Sequence, residues 1–295
     1  MTAKSAKTVS LVLGSGGARG LAHIGVIYEL QKNGYEIQSI SGCSMGALVG
    51  GIYAAGKLEE FEQWVKAITK VDIVSLLDIA WQKHGLVKGD KIINTLIELV
   101  GDKTIEELPI PYTAVAADVR NEKEVWINSG RLFDAIRASI SLPLFFTPVA
   151  YKDRHLIDGG VLNPVPIAPT FNDDTDLTIA VNLGGPLEKE PEVQQNGGSE
   201  EEESSTFRDK VAGYIDDLQD SIKTRATNDW GVYDIADQAF DAMQSTIARQ
   251  KLAAYPPDIT IEIARNACGT LEFDRADEMI ELGRSKARES LSLAR

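Results

Sequence analysis

The sequence predicts an α/β fold, a three-layer α/β/α arrangement around a mixed, mainly parallel sheet. Two observations point there. Twice within the first 56 residues a short strand-like run ends in a glycine-rich turn and passes into a helical segment, the unit from which parallel sheets are built. A further run, LTIAVNL from Leu177 to Leu183, is apolar almost without alternation, as expected of a strand covered on both faces.

In chain order, Thr8 to Leu13 (TVSLVL) is the first strand and runs into GSGGARG. Leu21, Ile24, Ile27, Tyr28, Leu30 and Gln31 then keep a helical spacing, which Asn33-Gly34 ends. Glu36 to Ser41 is the second strand; it enters the turn GCSMG, and a second helix follows to Gly56. Leu58 to Lys70 and Gly89 to Val100 read as helices. The connector between them, Val71 to Trp81 (VDIVSLLDIAW), is unusually apolar; it is costly to leave in water, so it is expected to be either a core helix or a flap beside a pocket. Tyr112 to Val119 and Glu124 to Asn128 read as strands, and Gly130 to Ser139 as a helix. Pro186 to Ser205 (PLEKEPEVQQNGGSEEEESS) has almost no apolar content and is expected to be a solvated, mobile acidic loop. Helical patterns fill Phe207 to Ala254, Ile259 to Ile263 is a last strand, and a helix from Arg275 closes the chain. The expected organisation is a single domain over residues 1–295. It has a catalytic core at 8–170, the acidic loop at 186–205, and C-terminal helices with an edge strand at 206–295.

At 295 residues with 43% hydrophobic side chains, the chain can bury one large core. Its 44 acidic residues outnumber 30 basic ones, for a net charge of -14. That balance excludes nucleic acid as a partner and strong electrostatic adhesion to anionic lipid, because both would repel the protein; a transient membrane-surface contact is compatible with it. Cys43 and Cys268 make no disulfide framework, and no His/Cys cluster has metal-ligand spacing. No metal or cofactor is implied. The N-terminal apolar run is too short for a secretory segment, so a cytoplasmic location is expected. Ile37 to Gly56 is uncharged and carries Gly42-xxx-Gly46-xxx-Gly50, yet eight of its 20 residues are Gly or Ser. That is too weakly apolar for a membrane-spanning helix.

The chemistry concentrates in two glycine turns and one aspartate. The first turn does not fit a dinucleotide fingerprint, because Arg19 stands where the third glycine should be, and no Lys-Ser/Thr follows to make a phosphate-binding loop. What remains is a set of backbone amides at a helix start, suited to stabilising negative charge. The second turn, Gly42-Cys43-Ser44-Met45-Gly46, matches GxSxG between a strand and a helix. In that context the motif is a nucleophile elbow that exposes a serine hydroxyl. A serine nucleophile needs a base. There are three histidines, His23, His84 and His155, and none lies late in the chain where a Ser…Asp…His order requires one. His23 reads as a helix-packing residue, and His84 has no partner pattern. His155 precedes Asp158 by three residues, which on a strand puts the two side chains on opposite faces. Asp158, at the end of a short apolar strand and before two glycines, can take a serine proton directly if burial raises its pKa. Taken alone, an Asp-Gly pair is more simply a turn.

In combination, GSGGARG, GCSMG, IRASISLPLFFTPV and LIDGGVLNPVP resemble the patatin-like phospholipase family, from about Val9 to Thr170. The resemblance implies that Ser44 is the nucleophile and Asp158 its base. It also implies that Gly16 and Gly17 form the oxyanion hole with Arg19 supporting the loop, and that Gly42 and Gly46 frame the elbow. Ser15 departs from the family's run of three glycines and is expected to be tolerated if its φ is negative. Leu142, Leu144, Phe145 and Phe146 lie, by resemblance, where they could line an acyl-chain pocket, although pocket wall and core look alike in sequence. The activity so implied is that of a serine acyl-ester hydrolase acting on lipid-like substrates. Two alternatives share the same residues: an acyltransferase, and a catalytically weak regulatory member of the family. Head group, chain length and oligomeric state are not legible.

Overall fold

The computed structural model describes residues 6–69, 72, 89–143, 145–188 and 232–294. Eight strands form one sheet: β1 (Lys7–Leu13), β2 (Tyr35–Cys43), β3 (Tyr112–Asp118), β4 (Lys123–Ile127), β5 (Val149–Tyr151), β6 (Arg154–Asp158), β7 (Leu177–Gly185) and β8 (Ile259–Ala264). Their order is β5-β6-β3-β2-β1-β7-β8, with β4 also pairing with β3. The five strands from β3 to β8 in that order run parallel, and β4, β5 and β6 join antiparallel. This is the mixed, mainly parallel sheet expected from the sequence. Helices α1 (Ala22–Lys32), α2 (Met45–Ala54), α3 (Leu58–Ala67), α4 (Asp90–Val100), α5 (Leu132–Ser139), α6 (Val232–Ala254) and α7 (Ala276–Leu293) flank it, completing a three-layer α/β/α arrangement.

The central strands owe their place to composition. Leu11, Val12 and Leu13 of β1 are fully buried, as are Ile179, Ala180 and Val181 of β7, because helices cover both faces of a parallel sheet. The uncharged stretch from Ile37 to Gly56 is divided between β2 and α2, and among the described residues no helix is long and apolar enough to cross a membrane.

Differences from the sequence reading are small and local. The helix expected to reach Lys70 ends at Ala67, and the one expected from Gly130 starts at Leu132. β5 was not foreseen: three residues directly after Pro148 are too few to show a period. The Val71–Trp81 connector, apart from Asp72, lies outside the described residues, as do residues 189–231, which hold most of the acidic segment and the start of the expected C-terminal helical run.

One feature of the sheet fixes the site. β3 acts as a common ruler: its Val115 pairs with Cys43, the last residue of β2, and its next residue, Ala116, pairs with Asp158, the last residue of β6. The residue following Cys43 is Ser44. Two segments separated by more than a hundred residues therefore end side by side.

Candidate active site

Ser44 sits between β2 and α2 with φ 53 and ψ -122, a left-handed conformation that costs a residue with a Cβ on the order of 1–3 kcal/mol and persists only where the surroundings enforce it. Those surroundings are tight. A Cβ on Gly46 would lie 2.0 Å from the Leu13 carbonyl oxygen, and one on Gly42 would lie 2.5 Å from the Gly46 carbonyl oxygen. Only glycine lets the elbow press against the end of β1. The Ser44 N–H donates to Ser139 Oγ (2.9 Å), whose hydroxyl donates to the Val115 carbonyl (2.6 Å), so the last residue of α5 ties the elbow to β3.

The geometry brings Ser44 and Asp158 together. Ser44 Oγ donates to Asp158 Oδ2 over 2.5 Å, and the Gly160 N–H donates to Oδ1 over 2.7 Å. Asp158 is fully buried and Ser44 is 7% exposed. Burial pushes the Asp158 carboxyl up to about 6, against the opposing effect of the bonds from Ser44 and the Gly160 amide. A carboxylate at that level is poised to accept and return a proton near neutral pH. His155 is exposed on β6 while Asp158 is buried, in line with the opposite-face argument.

The first glycine turn faces the same point. Gly14 N–H, Ser15 N–H and Ala18 N–H are committed to the carbonyls of Val181, Pro164 and Thr270. Gly16 and Gly17 N–H make no such bond among the described residues, and Gly17 lines the same cleft as Ser44. Gly17 has φ +57, and a Cβ there would lie 2.5 Å from the Thr270 carbonyl oxygen. Ser15 is not among the residues of positive φ. Arg19 is 4% exposed and lies behind the turn: Nε donates to the Gly16 carbonyl (3.1 Å), and the guanidinium also bonds to the Arg265 carbonyl and pairs with Asp241. It offers the turn support. His23 Nε2–H donates to the Gly14 carbonyl (2.9 Å), and complete burial pulls its pKa down to about 4, so it remains neutral and structural.

Ser44 and Gly17 open onto an apolar cleft with an empty volume of about 860 Å³, counting its open mouth. Leu142, Phe145 and Phe146 line it; Leu144 lies outside the described residues. The opposite wall was not anticipated: Phe61, Trp64, Val65 and Ile68 from α3 and its end, Ile92 and Leu96 from α4, and Thr270, Leu271 and Phe273 near the C-terminus. Also missed were Ser139, Asp241 and Gln244, whose Nε2 donates to Ser15 Oγ (3.1 Å). Ser15 has a non-positive φ, as its tolerance requires, and its hydroxyl also accepts a bond that the sequence did not reveal. The α3 residues carry a visible signal, an apolar face at i, i+3, i+4 and i+7; Ser139, Asp241 and Gln244 carry none. Among the described residues no group of three His, Cys, Asp or Glu is placed to hold a metal ion.

The chain is similar to several known proteins. A family model described as patatin-like phospholipase matches residues 11–171. An uncharacterized NTE family protein of Mycobacterium tuberculosis is 38% identical over 97% of this chain and 92% of its own length. Neuropathy target esterase sws of Drosophila melanogaster is 32% identical over 60% of this chain and 13% of that protein. The crystal structure of VipD from Legionella pneumophila superimposes with a TM-score of 0.48 at 14% identity, covering 99% of this chain and 68% of that one.

Proposed function

Because the chain belongs to the patatin-like phospholipase family, a family of lipid hydrolases, we propose that it hydrolyses acyl esters of lipid-like substrates with Ser44 as nucleophile and Asp158 as base. The observation that carries this reading is the direct bond from Ser44 Oγ to a fully buried carboxylate.

An acyl chain in the apolar cleft brings its ester carbonyl to Ser44. As Oγ attacks the carbonyl carbon, its proton passes to Asp158 Oδ2, and the carbonyl oxygen becomes an oxyanion facing the Gly16 and Gly17 amides. Collapse of the tetrahedral intermediate breaks the bond to the alcohol, which leaves with the proton from Asp158. Water then attacks the acyl-enzyme, giving its proton to the same carboxylate, and Ser44 is restored as the fatty acid departs. Because Asp158 must be ionised to accept the first proton, activity falls as pH drops through about 6. The strained backbone at Ser44 holds Oγ toward the cleft throughout.

Ser44→Ala and Asp158→Asn should each lower hydrolysis of a short p-nitrophenyl ester by about 10⁴-fold or more while the fold persists, since nucleophile and base act as a unit. An Asp158→Asn enzyme with most of its activity would sink the dyad. Adding an alcohol acceptor and analysing products separates hydrolysis from acyl transfer.

A further inference from the structure

Helix α6 lies outside the residues that match the family model, yet one of its faces touches both the first glycine turn and the turn that follows Asp158. Asp241, Gln244, Ala248 and Lys251 fall at i, i+3, i+7 and i+10, so they share that face. Asp241 pairs with Arg19, which in turn holds the Gly16 carbonyl. Lys251 pairs with Glu124 of β4, which also accepts from Asn163 Nδ2, just beyond the Asp158 turn. Between these two contacts, Gln244 meets both turns at once. Its Nε2 donates to Ser15 Oγ, and both side chains are 8% exposed. Gly160 is wedged against the same pair: a Cβ there would lie 2.1 Å from Gln244 Nε2, 2.6 Å from Ser15 Oγ and 3.0 Å from Asp158 Oδ1.

Building on the Ser44–Asp158 reading, we infer that Gln244, acting through Ser15, is a positioning residue that holds the oxyanion turn and the carboxylate turn at a fixed separation. Ser15 precedes Gly16, and Gly160 supplies the amide that orients Asp158. The Gln244 amide packs where the two meet. Ser15 Oγ accepts from Gln244 Nε2, so the hydroxyl and the amide that reaches it form one device. The titratable groups at this corner are the Cys43 thiol, whose Sγ is 4.0 Å from Asp158 Oδ1, Glu124 with its partner Lys251, and the Arg19–Asp241 pair.

The test uses the full chain with Gln244→Met, Ser15→Ala and the double variant. It measures kcat and KM for one soluble ester across about pH 5 to 8, with a thermal melt to verify folding. Gln244→Met should lower kcat by about tenfold to hundredfold with KM within about twofold, the size expected when reacting groups drift by a fraction of an ångström to an ångström. The acid limb of kcat/KM should move to higher pH, because a loosened Gly160 amide no longer offsets the burial of Asp158. Ser15→Ala should reproduce both effects, and the double variant should be no worse than the worse single one, the pattern of residues acting through each other. Losses that multiply in the double variant with an unmoved acid limb would overturn the inference, as would a normal kcat in Gln244→Met. If Gln244→Met melts below the assay temperature, Ser15→Ala, which leaves α6 unchanged, is judged on its own by the kcat and acid-limb results. Ser44→Ala serves as the reference: if it is inactive while Gln244→Met is normal, only the positioning role fails, whereas an active Ser44→Ala removes the reading beneath it.

Discussion

The two glycine turns and the inner face of α6 contribute to the same site by opposite physical means. In the turns, backbone dictates everything: Gly17 at φ +57, Ser44 at φ 53, and glycines whose missing Cβ lets β1, the elbow and Leu183 approach closely. Along α6, side chains do the work across distance, with Asp241 reaching Arg19 and Gln244 reaching Ser15. In the proposed function the turns hold the reacting groups, and in the inference drawn from α6 the helix sets where they stand relative to one another. Substitutions in the turns should therefore strike chemistry, and substitutions along the helix face should strike alignment.

The sharpest way to break that contrast is at Gly17. Gly17→Ala must adopt a left-handed φ with its Cβ against the Thr270 carbonyl oxygen, so the turn shifts and its amide leaves the line of the oxyanion. Loss of one such donor costs about 10²–10³ in turnover with little change in ground-state binding. Measured kcat and KM on a soluble ester check it, and a near-normal kcat in a folded Gly17→Ala would place the donors elsewhere.

A smaller effect, of opposite sign for stability, sharpens the contrast. Burial raises Asp158 from its ordinary 3.8 to about 6. The folded state thus binds this proton more tightly than the unfolded state, and stability falls as pH rises from about 4 to about 6; the cost is fully present at neutral pH. Asp158→Asn removes it and is expected to stabilise the protein by about 1–3 kcal/mol near pH 7, with the gain vanishing below about pH 4. Thermal melts at the two pH values read this directly. A turn built for function should gain stability when its charge is deleted, and equal melting at neutral pH would argue against it.

What the sequence revealed follows the same division. β1 and β7 are largely apolar, β2 carries Ile37 and Ile40 directly before a glycine turn, and Ser44 and Asp158 lie within short motifs, so local pattern was enough. β5 is too short for any period. Ser139 lies 95 residues from the amide it accepts, Asp241 lies 222 from Arg19, and Gln244 lies 229 from Ser15. Contacts of that span leave no trace in a single sequence, because nothing in the spacing of residues along α6 says what its face will meet. Phe61, Trp64 and Val65 show an apolar stripe, but only the folded chain shows that this stripe, besides packing with the core, lines the cleft beside Ser44. The partner of the Ser15 hydroxyl was hidden for the same reason: it lies on α6.

The most direct test of the Ser44–Asp158 pair is the rate at which a fluorophosphonate modifies the intact protein, followed by mass spectrometry over a range of pH. The account predicts a single adduct on Ser44. Its rate should rise as pH passes through about 6, where Asp158 ionises, and Asp158→Asn should slow it at every pH. An adduct on another residue, or a Ser44 rate indifferent to Asp158→Asn, would contradict it.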